Sequence, residues 1–253
     1  MQFKLRPAII FFLIIFSMSA TACNSNGVSA PNPSDPKLIG ACDNSLYPIK
    51  QGATWTYLSA GGPNGSFNYT DTVAETHVGG FTLTSKFQDF TRSQIWACQT
   101  DGLKALQLGG GSVAGISTQG MTAEFETLDA TGISLPRDIT AGMQWRYDLK
   151  MQGTIAMPGN QAKAHGIYTV VMQEMGKETV TVPAGVFEAV KLQANSSIEV
   201  AANFEGVDIP VKFNGVAMMW YAPGVGYVKS VENGDFGGAV FSTVTELQSY
   251  SIP

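Results

Sequence analysis

From residue 41 onward, apolar and polar residues alternate with period two, and turn residues break the alternation at short intervals. Ser66-Phe67-Asn68-Tyr69-Thr70 alternates, and so does Phe81-Thr82-Leu83-Thr84 after the Gly79-Gly80 turn. Val207-Asp208-Ile209-Pro210-Val211-Lys212-Phe213 shows the pattern again. Thr179 to Val182, the turn Pro183-Ala184-Gly185 and Val186 to Leu192 read as a hairpin. Strand side chains point alternately to the two faces of a sheet, so this pattern buries one face and wets the other. No window of twelve or more residues carries a helical stripe, and the body reads as antiparallel β. Composition agrees. Only 14% of the 253 residues are charged and 28 are glycine, against about 25% charge in an average soluble domain. That excludes a coiled coil, a helical bundle and a disordered chain. A net charge of -5 supplies no basic field for nucleic acid.

The body also repeats. Pro48, Gly52, Trp55 and Tyr57 open one unit, and Pro136, Gly142, Trp145 and Tyr147 open a second. In both, tryptophan follows glycine by three and precedes tyrosine by two. Later in each unit a tryptophan, Trp96 or Trp220, stands six residues before a glycine, Gly102 or Gly226. The paired tryptophans are 41 apart in the first unit and 75 in the second. The second therefore carries extra hairpin material, expected around residues 153–165 and 195–215. Two tandem structural repeats are expected, about 41–128 and 129–253. Because the tryptophans recur at equivalent positions, packing between curved sheets explains them more simply than a stacking platform for a sugar or head group.

The first segment reads as an address. Lys4 and Arg6 precede an unbroken apolar run, Ala8–Phe16, and small residues lead to Ala20-Thr21-Ala22-Cys23. Nine apolar residues are too few to span a bilayer, which takes about 20. Residues 1–22 are read as a secretion signal. Ala20 and Ala22 suit ordinary signal peptidase, and Ser19-Ala20-Thr21-Ala22-Cys23 also resembles a bacterial lipobox, which would make Cys23 the lipidated first residue. Cysteine parity favours lipidation. Cys23, Cys42 and Cys98 are an odd set for a secreted chain, and anchoring Cys23 leaves two that can pair. The repeat supports that pair: the counterparts of Cys42 and Cys98 in the second unit are Ala130 and Ala222. Both cysteines are present in one unit and both absent from the other.

Removing residues 1–22 takes two of the fifteen Lys and Arg and no acid, leaving thirteen against twenty, a net of -7. Residues 23–40 then form the anchored cysteine and a spacer rich in Asn, Ser, Gly and Pro, able to reach roughly 50 Å at ~3.1 Å per residue. Asn24, uncharged, points to outer-membrane or cell-surface placement. A secreted or periplasmic soluble form is the alternative. The folded body is assigned to 41–253.

Three segments carry a family resemblance. Tyr47-Pro48-Ile49-Lys50-Gln51-Gly52-Ala53-Thr54-Trp55-Thr56-Tyr57 resembles the opening strand of a broad group of bacterial lipoproteins without an assigned activity. Glu178–Phe187 and the closing Trp220-Tyr221-Ala222-Pro223-Gly224-Val225-Gly226-Tyr227-Val228-Lys229-Ser230 resemble it too. The resemblance implies an all-β fold of curved antiparallel sheets, a half-barrel or open barrel distantly like the periplasmic lipoprotein carriers. It implies no reaction and assigns no functional residue.

Catalytic chemistry is sparse. His77 and His165, each within two residues of a glycine at an expected turn, have no carboxylate or cysteine at ligand spacing, so no metal and no cofactor is expected. No Gly-x-Ser-x-Gly elbow is present. Gly109-Gly110-Gly111-Ser112 lacks the lysine and helix of a phosphate loop and reads as a hairpin loop. Glu124 and Glu126 share a strand face, and with Glu174 and Glu178 they are the only acids suggesting a glycosidase pair. A solvated strand face is the simpler account. The methionines gather in the second unit, and flexible, polarisable side chains suit both irregular cores and cavities for apolar guests. Met143, Met172, Phe187, Met218 and Trp220 are the candidate cavity residues.

The expectation is thus a membrane-tethered extracytoplasmic lipoprotein that is not an enzyme, binding or carrying an apolar or amphipathic ligand. A structural or interaction lipoprotein of an envelope complex is the alternative. Replacing Cys23 by Ser should move the protein from the membrane pellet to the soluble extracytoplasmic fraction. An unchanged pellet would exclude Cys23 as the anchor.

Overall fold

The computed structural model describes residues 42–62, 65–108, 122–157, 160–204, 206–236 and 239–253. The signal, Cys23, the spacer and the Gly109–Ser112 loop lie outside the described residues. Thirteen strands are described: β1 Thr54–Gly61, β2 Phe67–His77, β3 Gly80–Lys86, β4 Thr91–Gln99, β5 Gly102–Ala105, β6 Thr122–Gly132 and β7 Leu135–Pro136. They continue with β8 Gln144–Met157, β9 Asn160–Val182, β10 Gly185–Phe204, β11 Val207–Ala222, β12 Gly226–Phe236 and β13 Ala239–Ser251. All belong to one antiparallel sheet in the order β6-β8-β9-β10-β11-β12-β13-β1-β2-β3-β4-β5-β7. No helix occurs among the described residues. The fold is all-β, an open, curled half-barrel.

The strands form where the alternation predicts them. On β1, Trp55, Tyr57 and Ser59 are buried and their neighbours half-exposed. On β9, Ala162, Ala164, Val170 and Met172 are buried on one face. Five of the twelve described strand pairings carry a bulge, among them β1 with β13 at Thr56/Tyr57 and β9 with β10 at Val190/Leu192. Each extra residue bends its strand and increases the local twist, which curls the sheet toward its apolar face.

The tryptophans occupy matching places. β1–β5 and β8–β12 are two five-strand meanders, with Trp55 and Trp145 on their first strands and Trp96 and Trp220 on their fourth. The turns before Trp55 and Trp145 bond alike: the amide of Ala53 donates to the carbonyl of Lys50, and that of Met143 to Thr140. The hydroxyls of Tyr57 and Tyr147 donate to the carbonyls of Tyr227 and Ala105. The second unit's extra length lies in the hairpins β8–β9, paired out to Met157 and Asn160, and β10–β11, paired out to Phe204 and Val207. One expectation is corrected. His165 is at no turn: it stands within β9, exposed, opposite Gln152 and Ala201, because the β8–β9 hairpin continues beyond it.

The two ends of the sheet meet through one short piece of chain. β6 pairs with β8, bends at Ile133-Ser134, and becomes β7, which pairs with β5. Gly132 makes the bend at φ +74°, where a Cβ would lie 2.0 Å from the carbonyl oxygen of Arg146. The Ser134 amide donates to Leu103 at 3.0 Å, its hydroxyl accepts from the Ala105 amide at 2.9 Å, and its carbonyl accepts from the Trp145 indole at 3.4 Å. Tyr147 reaches across to Ala105 at 2.5 Å.

Residues 42–50 tie together several elements near Trp55. Asn44 donates to Pro136 at 3.0 Å and accepts from the amides of Leu46 and Tyr47. Ser45 accepts from Gly224 in the β11–β12 turn, and Tyr47 stacks on Trp55 at 5.2 Å. Cys42 is disulfide-bonded to Cys98 on β4, Cα to Cα 4.8 Å. The bridge joins residues 56 apart, so its removal by Cys42→Ala with Cys98→Ala should cost about 2–4 kcal/mol in urea unfolding. An unchanged midpoint would show that the other bonds hold this segment unaided.

Candidate ligand site inside the curled sheet

The inner face is aromatic, and it also carries polar side chains. On β2 it presents Phe67, Tyr69, Asp71 and Val73 in succession, because alternate residues share a face. Opposite them lie Tyr57 and Trp55 on β1 and Ser85 and Leu83 on β3. A connected series of rings follows: Tyr69 stacks on Tyr57 at 5.1 Å, Tyr57 meets Tyr227 at 5.2 Å, and Tyr227 meets Tyr221 at 5.7 Å. In the other direction Tyr69 stacks on Phe87 at 5.3 Å, Phe67 meets Phe87 at 6.0 Å, and Phe87 stacks on Phe90 at 4.4 Å. Phe90 is 45% exposed, so this aromatic row ends in solvent.

Asp71 sits within this wall. It accepts a 2.5 Å hydrogen bond from the Ser85 hydroxyl. Burial pushes its carboxyl up to about 6, and the Ser85 bond opposes that rise. Burial also drives the phenols of Tyr47, Tyr57, Tyr69 and Tyr221 upward, and the Asp71 charge adds to each. These hydroxyls therefore stay neutral hydrogen-bonding groups over any physiological range. Glu232 on β12 is a second carboxylate raised by burial, and its charge acts on Tyr227. Ser59, Ser230 and Thr245 are buried on the same inner surface, the Thr245 and Ser59 hydroxyls 3.2 Å apart. Arg92 on β4, opposite Ser85, is half-buried with its pKa lowered by burial.

The sequence-expected residues lie on β9, β10, β11 and the turn before β8, four of them in or against the same core cluster as Trp55 and Tyr57. Met172 is buried opposite Trp145 and Ala194, and Trp220 is buried opposite Lys191 and Lys229. Phe187 and Met218 are half-buried against the same core cluster, Phe187 edge-on to Tyr250 at 6.1 Å. Met143 is half-buried in the turn before β8. The indole of Trp220 donates to Glu178 at 2.6 Å, with the Lys191 ammonium 5.2 Å from its ring centre. That indole bond, helped by Lys191, holds the Glu178 carboxyl below the usual carboxylate range. Glu124 and Glu126 are exposed on β6, and Glu174 caps a turn by accepting from the amides of Gly142 and Gly176. Among the described residues no three His, Cys, Asp or Glu side chains approach as metal ligands would.

The interior site was missed because Asp71 lies in Tyr69-Thr70-Asp71-Thr72, which reads as an ordinary alternating strand. The available signal was parity: Asp71 falls in register with Phe67, Tyr69 and Val73, so a carboxylate occupies an inward position. The structure also has an open outer groove of about 590 Å³ along β9–β13, lined in part by Val171, Asn195, Asn214, Val216 and Val240. None of the five expected cavity residues lines it.

An all-β, curled half-barrel with carboxylates set in an aromatic inner face is the class that this geometry defines. The chain belongs to the DUF3108-like family, whose sequence model matches residues 113–245, more than half of its length. A candidate exported protein with a YmcC-like fold from Bacteroides fragilis is similar in structure at 14% identity, covering 83% of this chain and 100% of that one, with a TM-score of 0.49. A candidate lipoprotein from Parabacteroides distasonis is similar at 15% identity, covering 83% and 99%, with a TM-score of 0.44. YmcC of Escherichia coli, described as a hypothetical lipoprotein, follows at 13% identity, 79% and 85% coverage, and a TM-score of 0.34. No curated protein matches the chain.

Asp71 has a measurable signature. Its carboxyl titrates near 6 in the fold against an ordinary 3.8, so the folded state holds the proton more tightly than the unfolded chain does. Between about pH 4 and 6 this group should make stability fall as pH rises, and above 6 the full penalty applies. Asp71→Asn should remove that slope and raise stability at pH 7 by roughly 2–3 kcal/mol. Denaturant titrations at pH 4 and 7 that show no difference between the variants would place Asp71 in bulk-like solvent.

Proposed function

We propose that this protein is an extracytoplasmic, membrane-tethered binding module that holds an amphipathic ligand inside its curled sheet. The observation that carries the reading is the composition of the inner face. An interior built only for stability excludes carboxylates, because burying an uncompensated charge is costly. This one places Asp71 and Glu232 among neutral phenols, with an apolar aromatic row running from Tyr69 to the exposed Phe90. Such a surface matches a molecule with a polar end and an apolar end. The tether is read from Lys4 through Cys23, and the Cys42–Cys98 bridge is at home in an oxidising compartment. A net charge of -7 in the processed chain keeps the body off anionic head groups. No reaction is assigned.

A second reading, an interaction lipoprotein of an envelope complex, draws on the outer groove and on Val207, Ile209, Val216 and Val240, all exposed on β11 and β13. The interior reading is preferred because it also accounts for the inward carboxylates.

The test is native mass spectrometry of the full chain carrying Cys23→Ser, released without detergent. A discrete adduct removable by organic extraction is expected. A ligand-free protein that also takes up no added amphiphile would overturn the reading.

A further inference from the structure

We infer that the polar end of the ligand is an ammonium group, seated against Asp71 and the tyrosine rings around it; this rests on the interior-binding reading above. Asp71 is a carboxylate with one hydrogen bond, from Ser85, although a carboxylate can accept about four. Among the described residues no cation contributes to its environment, which burial dominates. The rings supply the rest. Tyr57, Tyr69 and Tyr47 lie close enough to feel the Asp71 charge, and an aromatic surround suits a cation. An ammonium there gains a counter-charge within an aromatic surround, and it relieves the uncompensated burial of the carboxylate.

The apolar end has a matching path. Phe67, Tyr69 and Asp71 share one face of β2, which puts Asp71 roughly 13 Å along the strand from Phe67. Phe87 and Phe90 continue that path outward to solvent. Asp71 itself lies opposite Trp55, at the end tied down by residues 42–50. The head group is therefore at the tied end, and the tail follows the phenylalanines.

The charged and titratable groups around Asp71 are few. Ser85 on β3 bonds it, Tyr57 on β1 and Tyr69 on β2 flank it, and Tyr47 and Tyr221 approach from the first segment and from β11. Arg92 stands across from Ser85 on β4 and makes no ion pair with Asp71. It adds a cationic partner for a zwitterionic head. Only Asp71 changes charge between pH 5 and 7 in this set, so its protonation should release an ammonium ligand.

Four probes of equal chain length separate the possibilities, each kept below its micelle concentration and measured by calorimetry on the full chain with Cys23→Ser. They are dodecyltrimethylammonium, dodecylphosphocholine, dodecyl maltoside and dodecanoate. At pH 7.5 the two ammonium probes should bind at least about tenfold more tightly than the other two. Asp71→Asn should abolish that preference and leave maltoside binding unchanged. The preference should also fade in the unsubstituted interior as pH drops through 6, an arm that needs no variant to fold. Equal binding of all four, or a preference that survives Asp71→Asn, overturns the ammonium assignment and leaves the binding module standing. No binding by any probe overturns the binding module itself.

Discussion

One sheet has to cover its own apolar face. Among the described residues there is no helix and no second sheet to lay against it, so the apolar side chains leave water only if the thirteen strands curl round on themselves. Every closing contact serves that requirement. The β6–β7 bend carries the chain from β8 to β5 and joins the two ends of the sheet through Ser134 and Tyr147. The segment 42–50 ties β4, β7 and the β11–β12 turn to one another beside Trp55. The bulges make the curvature possible at all, since a regular ladder of this length would twist without closing.

Closure of this kind leaves an interior that a packed sandwich would not have. Two sheets pressed face to face interdigitate across about 10 Å and exclude polar groups between them. A sheet curled on itself is filled from one wall, and where side chains do not meet across the middle, polar groups can be kept. Asp71, Glu232 and the phenols of Tyr69 and Tyr227 are polar groups kept on this wall, with burial raising the pKa of each. Further along, at β8–β10, Leu149, Met151, Ala162, Ala164, Ile198 and Val200 pack with Ala105 and Leu108 into a second apolar cluster. The interior thus changes character along its length, from polar and aromatic near Trp55 to aliphatic near the long hairpins.

Much of the architecture was legible before any coordinates. Period-two alternation is a local consequence of strand geometry, and it located the strands and their buried faces. The spacing of glycine, tryptophan and tyrosine marked the first strands of both meanders. The indole and phenol at those positions do what large aromatics with one polar atom must do when buried: Trp55, Trp145, Tyr57 and Tyr147 each donate to a backbone carbonyl. Cysteine parity paired Cys42 with Cys98. The methionine cluster was less informative, because composition alone does not say which face a flexible side chain takes. Met172 went into the core, while Met175 remained exposed.

What the sequence by itself determined is therefore whatever depends on neighbours along the chain: strand positions, turn positions and an inward face. Only the tertiary structure decided which inward faces confront one another. Asp71 and Ser85 are 14 residues apart, and Tyr57 and Tyr227 are 170 apart. Their contact follows from the order in which the strands are laid side by side and from where the bulges bend them. Neither is encoded by local periodicity. A charged residue on a strand looks the same in sequence whether its face meets water or rings, and the curl of the whole sheet turned this one inward.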